Sequence, residues 1–88
     1  MHTLAKRVHN LTPRDVRLTF EDGSTVALEM RSAEFFQESF QAEAVGPEGA
    51  AYRLVTDGDD DPLVAGVETA DGWKTAGTVA DVEPADGA

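Results

Sequence analysis

The chain has 88 residues, no cysteine, and 17 Asp+Glu against seven Lys+Arg, a formal net charge of −10. That length bounds it to one domain, with a folded surface of roughly 5,000 Å² and burial of about 60–65% of what the unfolded chain exposes. The lack of cysteine excludes disulfides, thiolate metal sites and cysteine nucleophiles, and no apolar run approaches the roughly 18 residues of a membrane-spanning helix.

No apolar stretch follows the first basic residues as it does in a signal peptide, so the expectation is a cytoplasmic protein with no membrane partner. Only Lys6 and Lys74 are lysines. Spread over such a small surface, the acids lie on the order of 15–20 Å apart. At 0.1 M salt the Debye length is about 10 Å, and closer-than-average carboxylates repel; at 1 M it is about 3 Å and they barely interact. Such a chain is destabilised by self-repulsion in dilute buffer and relieved by salt. Disorder is the competing reading of high charge, but 41% apolar residues, set in alternating runs, argue for a packed core.

The charge is uneven. Residues 1–17 hold Lys6, Arg7, Arg14 and Arg17 against Asp15 alone, net +3, together with His2 and His9. Residues 18–88 hold three basic residues against sixteen acids, net −13. The reading is a basic arm (1–13), one β domain (14–83) and a short tail (84–88). In the arm, Leu4, Val8 and Leu11 recur at i, i+4, i+7, which permits a short amphipathic helix. Pro13 forces Thr12 to extended geometry and ends it, and such terminal segments often fray.

Residues 15–20 alternate, with Val16, Leu18 and Phe20 on one face. Asp22-Gly23 supplies a hairpin turn, and the return strand points Val26, Leu28 and Met30 inward. Over residues 32–40, Ala33, Phe36 and Phe40 fit i, i+3, i+7, which predicts a helical turn. Residues 41–45 read as extended, 46–49 (Gly-Pro-Glu-Gly) as a turn, and 51–56 as the partner strand, with Tyr52 and Leu54 opposite Arg53 and Val55. After the polar loop 57–62, residues 63–69 and 73–82 form a second hairpin about Asp71-Gly72, with Gly77 marking a bulge or bend. About six short antiparallel strands predict a mostly-β fold, a small barrel or rolled sheet, with one short helical turn.

Three arrangements carry potential chemistry. Asp57, Asp59, Asp61 and Glu68 fall at positions 1, 3, 5 and 12 of a calcium-loop spacing, where oxygens wrap a hard cation. Pro62 holds the position that wants glycine, and the flanks read as strands, so a solvated acidic loop is the expected reading. Lys6, Arg7, Arg14 and Arg17 form a basic cluster able to track a phosphate backbone. The −13 body opposes polyanions, and molar salt removes most of the counterion-release drive; covering the acidic body of the same or a neighbouring molecule is the favoured role. Phe35, Phe36 and Trp73 are the candidate protein-contact residues, aromatics being enriched at interfaces. Trp73 itself is expected as a core or barrel-end plug, with a ligand platform as the alternative.

Catalysis has little support. The two histidines sit in the arm, where holding a base against a nucleophile is difficult. Ser24 and Ser32 lie at turns without a nucleophile elbow, and no phosphate loop, zinc spacing or dinucleotide fingerprint occurs. No cofactor is implied, and the expectation is a non-enzyme.

The runs at 15–26 (DVRLTFEDGSTV), 71–73 (DGW) and 77–82 (GTVADV) resemble the small uncharacterised acidic proteins of halophilic archaea across most of residues 15–83. The composition, rich in Asp, Glu, Ala, Val and Thr and poor in Lys, resembles theirs too. That resemblance implies a salt-loving source and a β fold and brings no functional residues with it. The opening hairpin is also similar in pattern to Sm-like and SH3-like barrels, but without an Sm RNA-binding motif RNA binding does not carry over. The resulting expectation is a protein-interaction or structural module, with nucleic-acid binding through the arm and divalent-cation binding at 57–68 as alternatives.

Overall fold

The computed structural model describes residues 3–37, 39–58 and 61–85. A helix, α1 (Thr3–Leu11), precedes six strands: β1 (Asp15–Phe20), β2 (Thr25–Phe36), β3 (Ser39–Val45), β4 (Ala51–Thr56), β5 (Val64–Thr69) and β6 (Gly72–Pro84). Each strand pairs antiparallel with the next, and β6 returns to β1, so the meander closes on itself as a barrel. The accessible surface is 5145 Å², as the chain length predicts.

The barrel interior follows from period-two alternation. Val16, Leu18 and Phe20 of β1 meet Leu28 and Met30 of β2, Phe40, Ala42 and Ala44 of β3, Leu54 of β4, Ala65 of β5, and Val79 and Val82 of β6, all buried. The first hairpin forms as its sequence dictates. Gly23 takes φ +91°, the Phe20 amide donates to the Ser24 carbonyl at 2.8 Å and the Gly23 amide to the Phe20 carbonyl at 2.9 Å. Asp22 Oδ1 accepts from both the amide (2.8 Å) and the hydroxyl (2.6 Å) of Ser24. This is a turn followed by a left-handed glycine, a standard closure of a three-residue hairpin loop.

The helical turn expected at residues 32–40 is not formed; these residues are the end of β2, a tight turn, and the start of β3. The pairing shows why the pattern misleads. Met30 faces Ala44 but Ser32 faces Glu43, so Arg31 is an extra residue, a β-bulge. A bulge flips the strand's parity. Before it the even residues Leu28 and Met30 point inward; after it the odd residues Ala33 and Phe35 pack on the core. Ala33, Phe36 and Phe40, which fit the helical period, share no face: Ala33 and Phe40 reach the core from two different strands, and Phe36 is exposed. The turn also lacks Gly, Pro or Asn, and Gln37 itself takes φ +60°.

A second parity flip occurs in β6. Thr19 faces Asp81 while Phe20 faces Val79, leaving Ala80 unmatched, so the inward residues Val79 and Val82 are three apart. Against β5 the extra residue is Ala76, between Thr75 (opposite Gly66) and Gly77 (opposite Ala65). Gly77 therefore sits at a bulge as expected, and a Cβ there would lie 2.9 Å from Phe20 Cδ1.

The basic arm is helical from Thr3 to Leu11 and packs chiefly on β6, covering the barrel end where β1 begins and β2, β4 and β6 finish. Its Ala5 and Val8 are fully buried in the same core as the barrel residues, with Leu4 and Leu11 packed at the edge. Burying a valine side chain contributes about 1.5–3 kcal/mol. The helix stops where the Thr12 amide (3.0 Å) and hydroxyl (2.8 Å) both donate to the Val8 carbonyl, one residue before Pro13. At the other end of the chain β6 runs through Pro84, and the Ala85 amide donates to the Asp15 carbonyl at 3.0 Å.

Candidate functional site

In a closed barrel the inward positions are spent on the core, so recognition falls to the outward rows. One such row runs Glu43, Arg53, Gly66, Thr75 across β3 to β6; the row beside it runs Val45, Ala51, Glu68, Trp73. Neighbouring strands lie about 4.8 Å apart, which puts Arg53 and Trp73 two strands from one another. They nevertheless touch. Gly66, on the strand between them, has no side chain, and the two lean together over it until the Arg53 guanidinium carbon lies 4.7 Å from the centroid of the indole. A Cβ on Gly66 would sit 3.7 Å from Trp73 Cε3, so the indole rests almost on bare backbone.

Trp73 is thus an outer-face residue, 45% exposed, and not the core plug that the sequence suggested. Counting back by twos from the inward Val79 reaches Trp73, but the Ala76 bulge resets that phase and turns Trp73 outward. Beside it lie Val55, 38% exposed, and its cross-strand partner Val64. On the other side a cleft of about 250 Å³ is lined by Arg31, Glu43, Val45, Ala51, Arg53 and Trp73 among others. The Arg31 bulge leaves that side chain exposed, and the Arg53 Nε is buried without a hydrogen-bond partner among the described residues.

The three aromatic candidates do not form one patch. Phe35 turns inward, its ring 4.8 Å from Phe40 and 5.5 Å from His9. Phe36 is 53% exposed beside the β2–β3 turn. The registers put that turn at the end of the barrel where β4 finishes, and Trp73 at the end where β4 begins.

The basic cluster is partly engaged by the barrel itself. Arg7 Nη1 donates to Asp81 Oδ1 at 3.0 Å and to the Val82 carbonyl at 3.2 Å. Arg17 faces Glu83 across the β1–β6 ladder, with Nη2 to Oε1 at 2.6 Å and Nε to Oε1 at 3.2 Å. Lys6 is exposed on α1, and Arg14 is exposed in the link to β1.

The calcium-loop spacing is not gathered in space. Glu68 lies four residues along β5 from Val64, about 13 Å at the strand rise, beside Trp73 and far from the loop that holds Asp57 and Asp61. Asp59 lies outside the described residues. The loop is held by the chain: the buried Thr56 hydroxyl lies 3.1 Å from the Gly58 and Asp61 carbonyls, the Asp61 amide donates to the Gly58 carbonyl at 3.2 Å, and Leu63 is buried below it. Among the described residues no three His, Asp or Glu are grouped to hold a metal ion.

One family accounts for the whole chain. It belongs to the family described as Domain of unknown function (DUF8072), whose match covers residues 1–88. The match takes in α1 together with the barrel, in keeping with a helix that shares the barrel's core. No curated protein and no solved structure matches the chain. No described helix is long and apolar enough to cross a membrane.

Sequence reasoning named Trp73 but missed Arg53, Arg31 and Gly66. The available signal was Gly66 itself: a glycine inside an alternating strand often marks a close approach.

Proposed function

We propose that this chain is a non-catalytic protein-binding module of a cell with concentrated internal salt, and that its contact surface is the outer barrel face centred on Trp73. The observation that carries this reading is the placement of the chain's one tryptophan, half exposed on a glycine floor with Val55 and Val64 alongside. An indole left in water forgoes burial at about 25 cal/mol per Å² of apolar surface, and tryptophan is the residue type most enriched among binding hot spots.

Closure of the barrel favours contact through side chains. Closed barrels leave few free strand edges for a partner strand to extend. The stretches of β2 and β6 that run past β1 each carry a bulge, at Arg31 and at Ala76, a device that blunts an edge. Nucleic-acid binding through the arm is less well supported, because Arg7 and Arg17 already serve β6 carboxylates.

Size-exclusion chromatography with light scattering in molar KCl tests the reading. The unaltered chain elutes with a bound protein, and Trp73→Ala elutes alone. A strictly monomeric unaltered chain with no co-purifying protein counts against it.

A further inference from the structure

Two direct cross-strand pairs in this barrel have the same chemistry and opposite outcomes. Arg17 faces Glu83 and closes on it at 2.6 Å. Arg53 faces Glu43 in the same way, yet its Nη2 stays 4.0 Å from Glu43 Oε1, because its guanidinium is drawn over Trp73 instead. Among the described residues its Nε–H has no acceptor. Arg31, on the same cleft, stands 3.5 Å from Glu29. A guanidinium offers five donors in a planar fork suited to a carboxylate, and among the described residues the two forks that border this cleft make only the 3.5 Å and 4.0 Å ion pairs and the stack on Trp73.

We propose that this cleft binds a carboxylate on an extended segment of the partner protein, with an apolar side chain of that segment lying on Trp73. The proposal rests on the Trp73 face being the contact surface. In it, Arg53 and Arg31 take the incoming carboxylate, stacking on Trp73 holds the Arg53 fork in place, and Glu43 is the internal competitor that the ligand turns away. Molar salt, with a Debye length of about 3 Å, screens the long-range repulsion from the −10 body and leaves contact hydrogen bonds in place.

Short randomised peptides displayed on phage, selected against the whole chain in molar KCl, supply the probe. Affinity of a retained peptide is then read from the fluorescence of the single tryptophan. Retained peptides carry Asp or Glu next to an apolar residue. Replacing that acid by its amide, or making Arg53→Gln or Arg31→Gln, weakens binding about ten- to a hundredfold, while Glu43→Gln tightens it. The peptide-side change needs no protein variant, so a variant that folds poorly does not decide the matter. Retained peptides that depend on Trp73 but show no preference for an acid overturn the carboxylate site and leave the contact surface standing. Peptides held equally well by Trp73→Ala, or no peptides retained at all, overturn both. A second copy of the chain seated on this face, seen as a dimer by light scattering and lost in Trp73→Ala, overturns the peptide segment as occupant.

Discussion

Arg53 and Trp73 sit on strands that are not neighbours, and they stack because the residue between them is a glycine. An exposed cation–π pair contributes about 0.5–1 kcal/mol, far less than a buried aliphatic. Trp73→Ala is therefore expected to lower stability by about 1 kcal/mol, a fall in melting temperature of about 4–8 °C for a domain of this size. Leu54→Ala, one residue from Arg53 but fully buried, is expected to cost about 2–5 kcal/mol. Thermal unfolding of the two variants side by side checks this. Equal losses would make Trp73 a core residue and remove the ground for a contact surface.

The two glycines of the β5–β6 ladder give a second comparison. At Gly77 a Cβ would meet the buried Phe20 ring at 2.9 Å, whereas at Gly66 its nearest neighbour would be the Lys74 carbonyl oxygen at 3.6 Å. Gly77→Ala overpacks the core and is expected to destabilise by about 1–3 kcal/mol. Gly66→Ala is expected to stay within about 0.5 kcal/mol of the unaltered chain. Urea titration of both variants measures the difference, and a reversed order contradicts the packing described.

The first hairpin carries a titrating group. The Ser24 hydroxyl, and after it the Ser24 amide, hydrogen-bond to the Asp22 carboxylate and hold its pKa below the ordinary aspartate value. A carboxyl depressed in the folded state adds stability above its unfolded pKa, about 3.9, and that contribution is lost as pH falls through the lower folded value. Ser24→Ala is expected to move the Asp22 midpoint back up, read by NMR titration of its side-chain carboxyl. An unchanged midpoint would mean that the serine hydroxyl is not the cause.

Seventeen acids on a surface of 5145 Å² make stability depend on salt. The melting temperature is expected to rise steadily from dilute buffer to molar KCl as the Debye length contracts from about 10 Å to about 3 Å. Equal thermostability at both ends would contradict the salt-adapted reading.

How far the sequence could be read depended on where the alternation stayed in phase. β1, the first half of β2, and β4 are unbroken, and their inward residues, Val16, Leu18, Leu28, Met30 and Leu54, follow directly from period two. The bulges at Arg31, Ala76 and Ala80 each shift that phase by one residue. The β2–β3 turn passed for a helix because Ala33, Phe36 and Phe40 match its spacing across two strands, and Trp73 lies on the outer face beyond the Ala76 bulge. The site was harder still. Arg53, Gly66 and Trp73 are separated in sequence and come together only through the β4–β5–β6 register, which no local pattern reveals. The acidic spacing of residues 57–68 was legible, but the strand that carries Glu68 away from Asp57 and Asp61 was not part of that local pattern.

The most direct test is a heteronuclear NMR titration of the isotope-labelled chain in molar KCl with a peptide it retains. The indole N–H of Trp73 and the amides of Arg31, Glu43, Arg53 and Gly66 are expected to shift together, while α1 and the loop bearing Asp57 and Asp61 stay still. Shifts gathered instead around Lys6 and Arg14, or around the acidic loop, would contradict the assignment of the contact surface to the Trp73 face.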